Sequence, residues 1–549
     1  VRQLSFVLLG GFVLLFAGLD VVSVSPQWGF TYGGAISGVL SQLAVTGPAA
    51  VLVAAAVAAN ILAGAVVLRL TGTPAFRSLT DMVLAGFATA VLLDAATLFL
   101  LGSLGLFGWP ELILLHAAIA IAWLAMGRSR PLLAGSVRVH LSRPAAWWPL
   151  VLAIWAGPLI VQLASLTVPF LDVLPNHVAP VEHVRVFGSF ATLTTSPSPI
   201  YGPSRLMLGY VALLSQLTTI TNLDAVLAEA AFGLPLTILI ALAVRRLTER
   251  LFGRSAGFWV LLTFPLTFMF MRIPDARDTV VVFPLAALTL IRIAEELRRR
   301  PSAEPPLARP PSVGPPLARP PSAGRQPAGP PEAPPQPTRP PSAEPPLARP
   351  DLSLAFAIGG AFLVHPLIGL VTFTAAAGAL VLYPTRLARR LIPALGAGAV
   401  LAIPQALTVA GIGAPAWVGL VCVVIGLAVA IAMAPVVSWV VDNLPTTPAM
   451  PAHWRAAVVA IAILVLLQIA RSHIDPPDDP ASEIPNDFLR LLDLCLLGAL
   501  LSVFSLGRGW ILLGCGIAAG VGAWAASGLV GFNGLTEQAI HYEVPKSME

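Results

Sequence analysis

The sequence predicts an all-α, polytopic integral membrane protein of about 15 transmembrane helices, and three observations carry that prediction. Of its 549 residues, 57% are hydrophobic and only 11% charged, against roughly 25% charged in a typical soluble domain. A mean hydropathy of +0.84 leaves too little polar surface to cover a globule of this length. Apolar runs recur along most of the chain at about 17 to 25 residues, the length that crosses a bilayer core of about 30 Å.

In chain order the expected spans are about 4–22, 48–68, 82–106, 109–127, 146–168, 224–246, 256–271, 279–296, 352–365, 367–384, 391–410, 414–440, 455–471, 488–506 and 509–531. The first follows Arg2 and is long for a signal peptide, with no small-residue cleavage site after it, so it reads as a signal-anchor. The polar tail from Tyr542 reads as an incomplete C-terminus. Cys422, Cys495 and Cys515 all fall inside apolar runs and behave as small hydrophobes rather than a disulfide framework. The net charge of +5 comes almost wholly from arginine in loops, so it reports membrane orientation and not nucleic-acid binding.

Orientation follows from those arginines. Arg128, Arg130, Arg138 and Arg143 follow span 4; Arg245, Arg246, Arg250 and Arg254 follow span 6; Arg386, Arg389 and Arg390 follow span 10. With these loops cytoplasmic, 25 of the 32 Lys and Arg residues lie inside, and the acidic loop Asp475–Asp487 and the segment Asp172–Arg205 lie outside. The stretch 206–220 is apolar but short and interrupted. Counting it as a span would send Arg245 and Arg246 outside, so it is expected to be an amphipathic helix lying in the outer interface.

The segment 301–350 is a different material. Pro301-Ser-Ala-Glu-Pro-Pro-Leu-Ala-Arg-Pro310 recurs identically at 341–350, and 20 of the 52 prolines lie here. It is expected to be an extended, disordered cytoplasmic linker. The chain thus divides into an N-terminal four-helix extension (1–145), a membrane core (146–300) with an external loop at 169–223, the linker (301–350), and C-terminal membrane helices (351–549).

Few residues are placed for chemistry. A phosphate-binding P-loop is excluded, because the one lysine is Lys546. The G-x-S-x-G at Gly253–Gly257 needs a strand-to-helix elbow to hold a nucleophile, but it falls in a basic turn between two membrane helices. The richest external cluster is Asp172, His177, Glu182, His183 and Arg185, followed by Tyr201 and Arg205. Asp172 sits just past an apolar helix end, where partial desolvation makes a carboxylate a better base; a solvated loop carboxylate is the plain alternative. A second cluster, Arg272-Ile-Pro-Asp275-Ala-Arg277-Asp278, is the outer turn between spans 7 and 8. Its charges either pair among themselves or hold an anionic group. His365-Pro366 marks a third outer turn.

The order of these pieces resembles the GT-C superfamily of polytopic glycosyltransferases, which includes protein O-mannosyltransferases and bacterial lipid-A and arabinan-modifying enzymes. The resemblance covers roughly residues 146–384. It is carried by Asp172 after an outward helix, the returning helix ending Arg245-Arg246-Leu-Thr-Glu-Arg-Leu-Phe-Gly-Arg254, the acidic-plus-arginine turn, and His365. It implies a sugar donor on polyprenyl phosphate, a glycan, lipid or protein acceptor, and an active site on the extracytoplasmic face of a bacterial plasma membrane. Asp172 would be the catalytic carboxylate. Asp275 and Asp278 would match a position that binds a divalent metal (Mg or Mn) or the donor phosphate, and His365 a polar residue at the matching helix start. Arg272, Arg277, Arg185 and Arg205, with His177, His183 and Tyr201, complete the expected donor and substrate contacts. Asp172 departs from the family's paired acids, and four spans precede the matching region.

Two other classes compete. A secondary transporter would place charge at mid-bilayer, and Asp94 in span 3 and His116 in span 4 are positioned to bond to one another in a helical hairpin. A non-catalytic component of cell-envelope polysaccharide assembly would keep the fold without the chemistry.

Overall fold

A computed structural model of the chain describes residues 32–126, 131–134, 148–165, 178–189, 206–266, 273, 276–298, 351–409 and 415–443. Expected spans 1 and 13–15 and the Pro-rich linker lie outside these residues. Among the described residues all regular structure is helical, apart from one isolated parallel bridge between Phe76 and Leu133. The helices are α1 (Tyr32–Leu70), α2 (Leu79–Ser103), α3 (Trp109–Met126), α4 (Trp148–Ser165), α5 (Ala179–Phe187), α6 (Leu208–Thr221) and α7 (Ala225–Phe252). They continue as α8 (Arg254–Thr263), the single turn α9 (Asp278–Val281), α10 (Phe283–Arg298), α11 (Leu352–Val364), α12 (Pro366–Leu382), α13 (Pro384–Val409) and α14 (Ala416–Asn443). Five of them are long and apolar enough to cross a membrane: α1, α2, α7, α13 and α14.

The surface of α14 shows how such a helix sits in lipid. Its inward stripe is small, with Gly419, Cys422, Gly426, Ala430 and Ala434 buried. Its outward stripe exposes Trp417, Val424, Ile431, Val436 and Trp439. The two tryptophans are 22 positions apart, about 33 Å at 1.5 Å per residue, which matches the spacing of the aromatic belts at the two bilayer interfaces. Small residues also set the closest crossing, between α1 and α2: a Cβ on Gly64 would collide with the Gly86 carbonyl oxygen. Lipid offers no hydrophobic drive for helices to associate, so backbone proximity of this kind supplies the packing.

Several boundaries differ from the sequence expectation, each for a local reason. Helix α1 begins at Tyr32 rather than at 48, because Pro48 stands inside it; a helix in lipid tolerates a proline. Helix α8 gives way at Thr263 to a 3₁₀ turn, Phe264–Leu266, where Pro265 has no N–H for the Leu261 carbonyl, which accepts from Trp155 Nε1 at 2.9 Å. Expected span 8 is broken at Val282, just ahead of Pro284, into α9 and α10.

The largest correction concerns residues 206–220. Helix α6 does not lie in an interface: every residue from Leu208 to Thr218 is buried. It packs against α1, α2, α3, α5, α7 and α11 and so occupies the centre of the bundle. Two of its hydroxyls are satisfied within the helix, Thr218 donating to Ser215 O and Thr221 to Leu217 O.

One end of the bundle is a layer of ion pairs. Arg246, near the end of α7, grips Asp81 in the first turn of α2 with two bonds of 3.0 and 2.7 Å. Glu295 on α10 accepts from Arg250 at 2.6 Å and from Arg246 at 3.5 Å. Arg390 on α13 pairs with Glu296 at 3.1 Å and Asp351 at 3.6 Å, and Arg389 pairs with Asp442 at the end of α14. The ends of α7, α10 and α14 and the starts of α2, α11 and α13 therefore share one side, the relative arrangement that the arginine pattern demands.

Candidate functional site

The predicted chemistry falls at the opposite end. There α6 starts, and a buried glutamine on α13 fixes that start: Gln405 Oε1 accepts from Leu208 N at 2.8 Å and Gln405 Nε2 donates to Leu206 O at 2.9 Å. Gly209 allows the close approach to α11, since a Cβ there would meet Leu363 at 2.8 Å. One residue on, the fully buried Tyr210 directs its hydroxyl at Glu229 Oε1 of α7, 2.7 Å away, and at the Ala276 carbonyl, 3.0 Å away.

Ala276 is the corner of the turn before α9. Its φ of +50° is the left-handed region, which costs a residue with a Cβ roughly 1–2 kcal/mol. The turn is closed by Ala276 N donating to Ile273 O at 3.1 Å. Arg277 follows as the N-cap residue of α9, and Asp278 is buried at its first position, accepting from Thr279 N at 2.8 Å. Both charged groups lie within electrostatic reach of the Tyr210 phenol. A buried acid, a buried phenol, a second carboxylate and a half-buried guanidinium thus gather around one strained turn. Outliers of this kind are held by their surroundings and cluster at functional sites.

The other predicted residues have definite places. His365 is a helix cap: its Nδ1 accepts from Ile368 N at 3.3 Å, joining α11 to α12, and the ring is buried. It stands one residue beyond Val364, which packs on Gly209 of α6. On α5, Arg185 donates to Glu182 Oε2 at 2.7 Å, while Glu182 Oε1 accepts from Ala225 N at 2.6 Å. That pair fastens α5 to the start of α7, so Arg185 reads first as a structural residue. His183 lies against Phe187 with ring centroids 4.7 Å apart and the rings tilted by 43°, and partial burial lowers its pKa. Asp172, His177, Tyr201, Arg205, Arg272 and Asp275 lie outside the described residues. Tyr210, Glu229 and Ala276 are additions that the sequence pattern does not point to.

Among the described residues no three acidic, histidine or cysteine side chains gather as a metal ion would require. Asp278 is the one described member of the predicted metal pair. The described residues alone therefore do not fit a divalent ion. The G-x-S-x-G is accounted for by backbone geometry: Gly253, at φ +107°, joins α7 to α8 with no intervening loop, and a Cβ on Gly257 would collide with Glu249.

A cleft of about 320 Å³ opens at the ion-pair end, lined by Phe76, Arg77, Asp81, Arg292, Asp351 and Arg390 among others. Its floor is tied down, because Phe76 N donates to Leu132 O at 2.8 Å and Ala134 N to Phe76 O at 2.9 Å. Its three arginines are balanced by Asp81, Glu295 and Asp351. No protein-family model matches the chain, and neither does any curated protein or solved structure.

Proposed function

We propose that the protein is a membrane glycosyltransferase that moves a sugar from a polyprenyl-phosphate donor to an acceptor on the extracytoplasmic face. The observation that supports this reading is the Tyr210–Glu229–Ala276 knot beside Arg277 and Asp278. It lies at the end of the bundle away from the arginine layer. The positive-inside rule assigns that layer to the cytoplasm, and the knot is accordingly assigned to the outer face, the side to which the sequence assigns Asp172. A lipid-borne donor needs no nucleotide-binding domain, in keeping with the sequence.

The chemistry asks for three things from this chain. A base takes the proton of the acceptor hydroxyl, and Asp172 is assigned that role. The acceptor oxygen bonds to the anomeric carbon as the bond from that carbon to the phosphate oxygen breaks, inverting the centre. A cation then stabilises the departing phosphate, the role assigned to Arg277 together with Arg272. Tyr210 and Glu229 hold the Ala276 turn and so aim Arg277; they are positioning residues.

The test is transfer of labelled sugar from a polyprenyl-phosphate donor in membranes holding the protein. Asp172→Asn should abolish transfer and Arg277→Gln should cut it at least tenfold, with protein levels unchanged. Full transfer by Asp172→Asn would remove Asp172 as the base, and no transfer above that of membranes lacking the protein would remove the enzyme reading. A transporter is the second reading, favoured by the buried carboxylate Asp94 near the middle of α2. Uptake into proteoliposomes without any sugar transfer would select it.

A further inference from the structure

Away from both ends, four polar side chains from four helices meet inside the bundle. Asn60 of α1 donates from Nδ2 to Asp94 Oδ2 of α2 at 2.7 Å. Gln216 of α6 donates from Nε2 to Asn60 Oδ1 at 3.3 Å, and the same nitrogen is 3.5 Å from Nε2 of His116 on α3. Asp94 and His116 are thus joined through Asn60 and Gln216, rather than to each other as the hairpin reading expects. His116 Nδ1 lies 2.8 Å from Leu112 O. A carbonyl only accepts, so Nδ1 carries the imidazole hydrogen and Nε2 accepts from Gln216. Both hydrogens of the Gln216 amide are then in use.

What is left over is all of one kind. Asp94 Oδ1 and Gln216 Oε1 are buried and have no donor among the described residues; the two residues are 0% and 1% exposed. Two orphan acceptors, one of them on a carboxyl group, call for a hydrogen or a positive charge. A sodium ion is poorly served here. Helices α1, α2 and α6 run unbroken through Asn60, Asp94 and Gln216, so their backbone carbonyls stay within helix bonds. Too few free oxygens remain for an ion's shell, whereas a proton needs one.

The neighbouring titratable groups are otherwise engaged or lie at other depths. Asp81, at the far end of α2, is held by Arg246 of α7, and Arg69 of α1 donates to Pro131 O. Tyr210 of α6 is bonded to Glu229 of α7. Arg292, Glu295 and Glu296 of α10 belong to the ion-pair end. Helix α11 has none inside it, bearing Asp351 and His365 as its caps. Glu111 stands in the first turn of α3, and α14 adds Cys422 on its inward face.

We propose that Asp94 is a proton-binding site within the membrane, held ready by Asn60 and connected through Gln216 to the half-buried His116. The inference is independent of the glycosyltransferase reading: it concerns a different set of side chains, and its readout is not activity. The experiment is infrared difference spectroscopy on the full chain in lipid nanodiscs across a pH series, with sodium or choline as the cation. The expected result is a carboxylic-acid C=O band that is lost in Asp94→Asn, fades reversibly as the pH is raised, and ignores the exchange of sodium for choline. Absence of any Asp94-dependent acid band at every pH overturns the proposal. So does a band that sodium removes, which would mark an ion site, or one that no pH change moves, which would mark a fixed hydrogen. If Asp94→Asn fails to fold, isotopically labelled aspartate in the chain carrying Asp278→Asn and Asp493→Asn decides between the same outcomes, since Asp94 is then, among the described residues, the buried aspartate remaining outside the ion-pair layer.

Discussion

The two ends of the bundle solve the problem of polar groups in opposite ways. At the arginine end, Asp81, Glu295, Glu296 and Asp351 pair with Arg246, Arg250, Arg292 and Arg390, four carboxylates to four guanidiniums. At the other end charge pairs are fewer, with Glu182 and Arg185 fastening α5 to α7, and much of the joining is done by the Gln405 amide, the Tyr210 hydroxyl on Glu229, the Ala276 carbonyl and the His365 ring. The charges of the arginine layer are largely saturated by one another, whereas Arg277 and Asp278 stand beside the strained Ala276 turn. The contrast is why the chemistry is assigned to the sparser end.

The comparison breaks first if the arginine end is not what holds the helices together. Arg246→Ala removes both bonds to Asp81, whose side chain is 6% exposed, and leaves that carboxylate buried without its partner. Such a loss costs about 3–5 kcal/mol. Thermal unfolding in nanodiscs should show a drop large enough to lower accumulation in membranes. A small shift would mean that the layer is ornamental and that the argument from saturation fails.

The corresponding test at the sparse end is Gln405→Leu. It orphans the Leu208 N–H and the Leu206 carbonyl at a wholly buried site, and one unsatisfied buried group costs about 1–3 kcal/mol. We expect a total of about 2 kcal/mol in the same unfolding measurement, less than Arg246→Ala. Gln405→Glu, which keeps the acceptor for Leu208 N, should recover part of it. Equal losses for Gln405→Leu and Arg246→Ala would erase the distinction between the two ends.

How much of this is legible in the sequence depends on the kind of signal. Long apolar runs give α3, α11 and α12 to within two residues, α2 and α14 to within three, and α7 all but its last turn and a half, because bilayer thickness acts on length and hydropathy, both local properties. Helix α6 is misplaced by the same pattern because Ser215, Gln216, Thr218 and Thr219 look like a wet face. The Thr218 hydroxyl back-bonds within the helix and the Gln216 amide donates to Asn60, a partner 156 positions away in sequence. Glu229 carries a faint signal as an acid inside an apolar run. Tyr210 and Gln405 carry none, since their meaning comes from Ala276 and Leu208, which only the fold brings near.

Acid sharpens the comparison further. Burial alone would raise the Asp351 pKa; Arg292 and Arg390, with the Ser353 hydroxyl and Leu354 N–H, outweigh it and hold the carboxyl below its usual range. A carboxyl depressed in the fold stabilises above its unfolded value, about 3.9, and that contribution is lost as the pH falls through the folded value. Unfolding temperature should therefore decline below about pH 4 in the unaltered chain. Asp351→Asn should begin lower and decline less steeply, and parallel curves would show that this cap does not couple to the layer.

The smallest expected effect lies within the same layer. Arg389 and Asp442 form an ion pair like their neighbours, but their side chains are 49% and 58% exposed. Solvent and salt screen such a pair, and two long side chains lose freedom to form it. Arg389→Ala should therefore cost at most about 0.5 kcal/mol, nearly vanishing at high salt. Set beside Arg246→Ala, it asks whether the layer's strength comes from charge or from burial. A loss as large as that of Arg246 would mean that α14 is clamped to α13 at this one point, and that the small-residue seam of Gly419, Gly426 and Ala430 holds less of the helix than its packing implies.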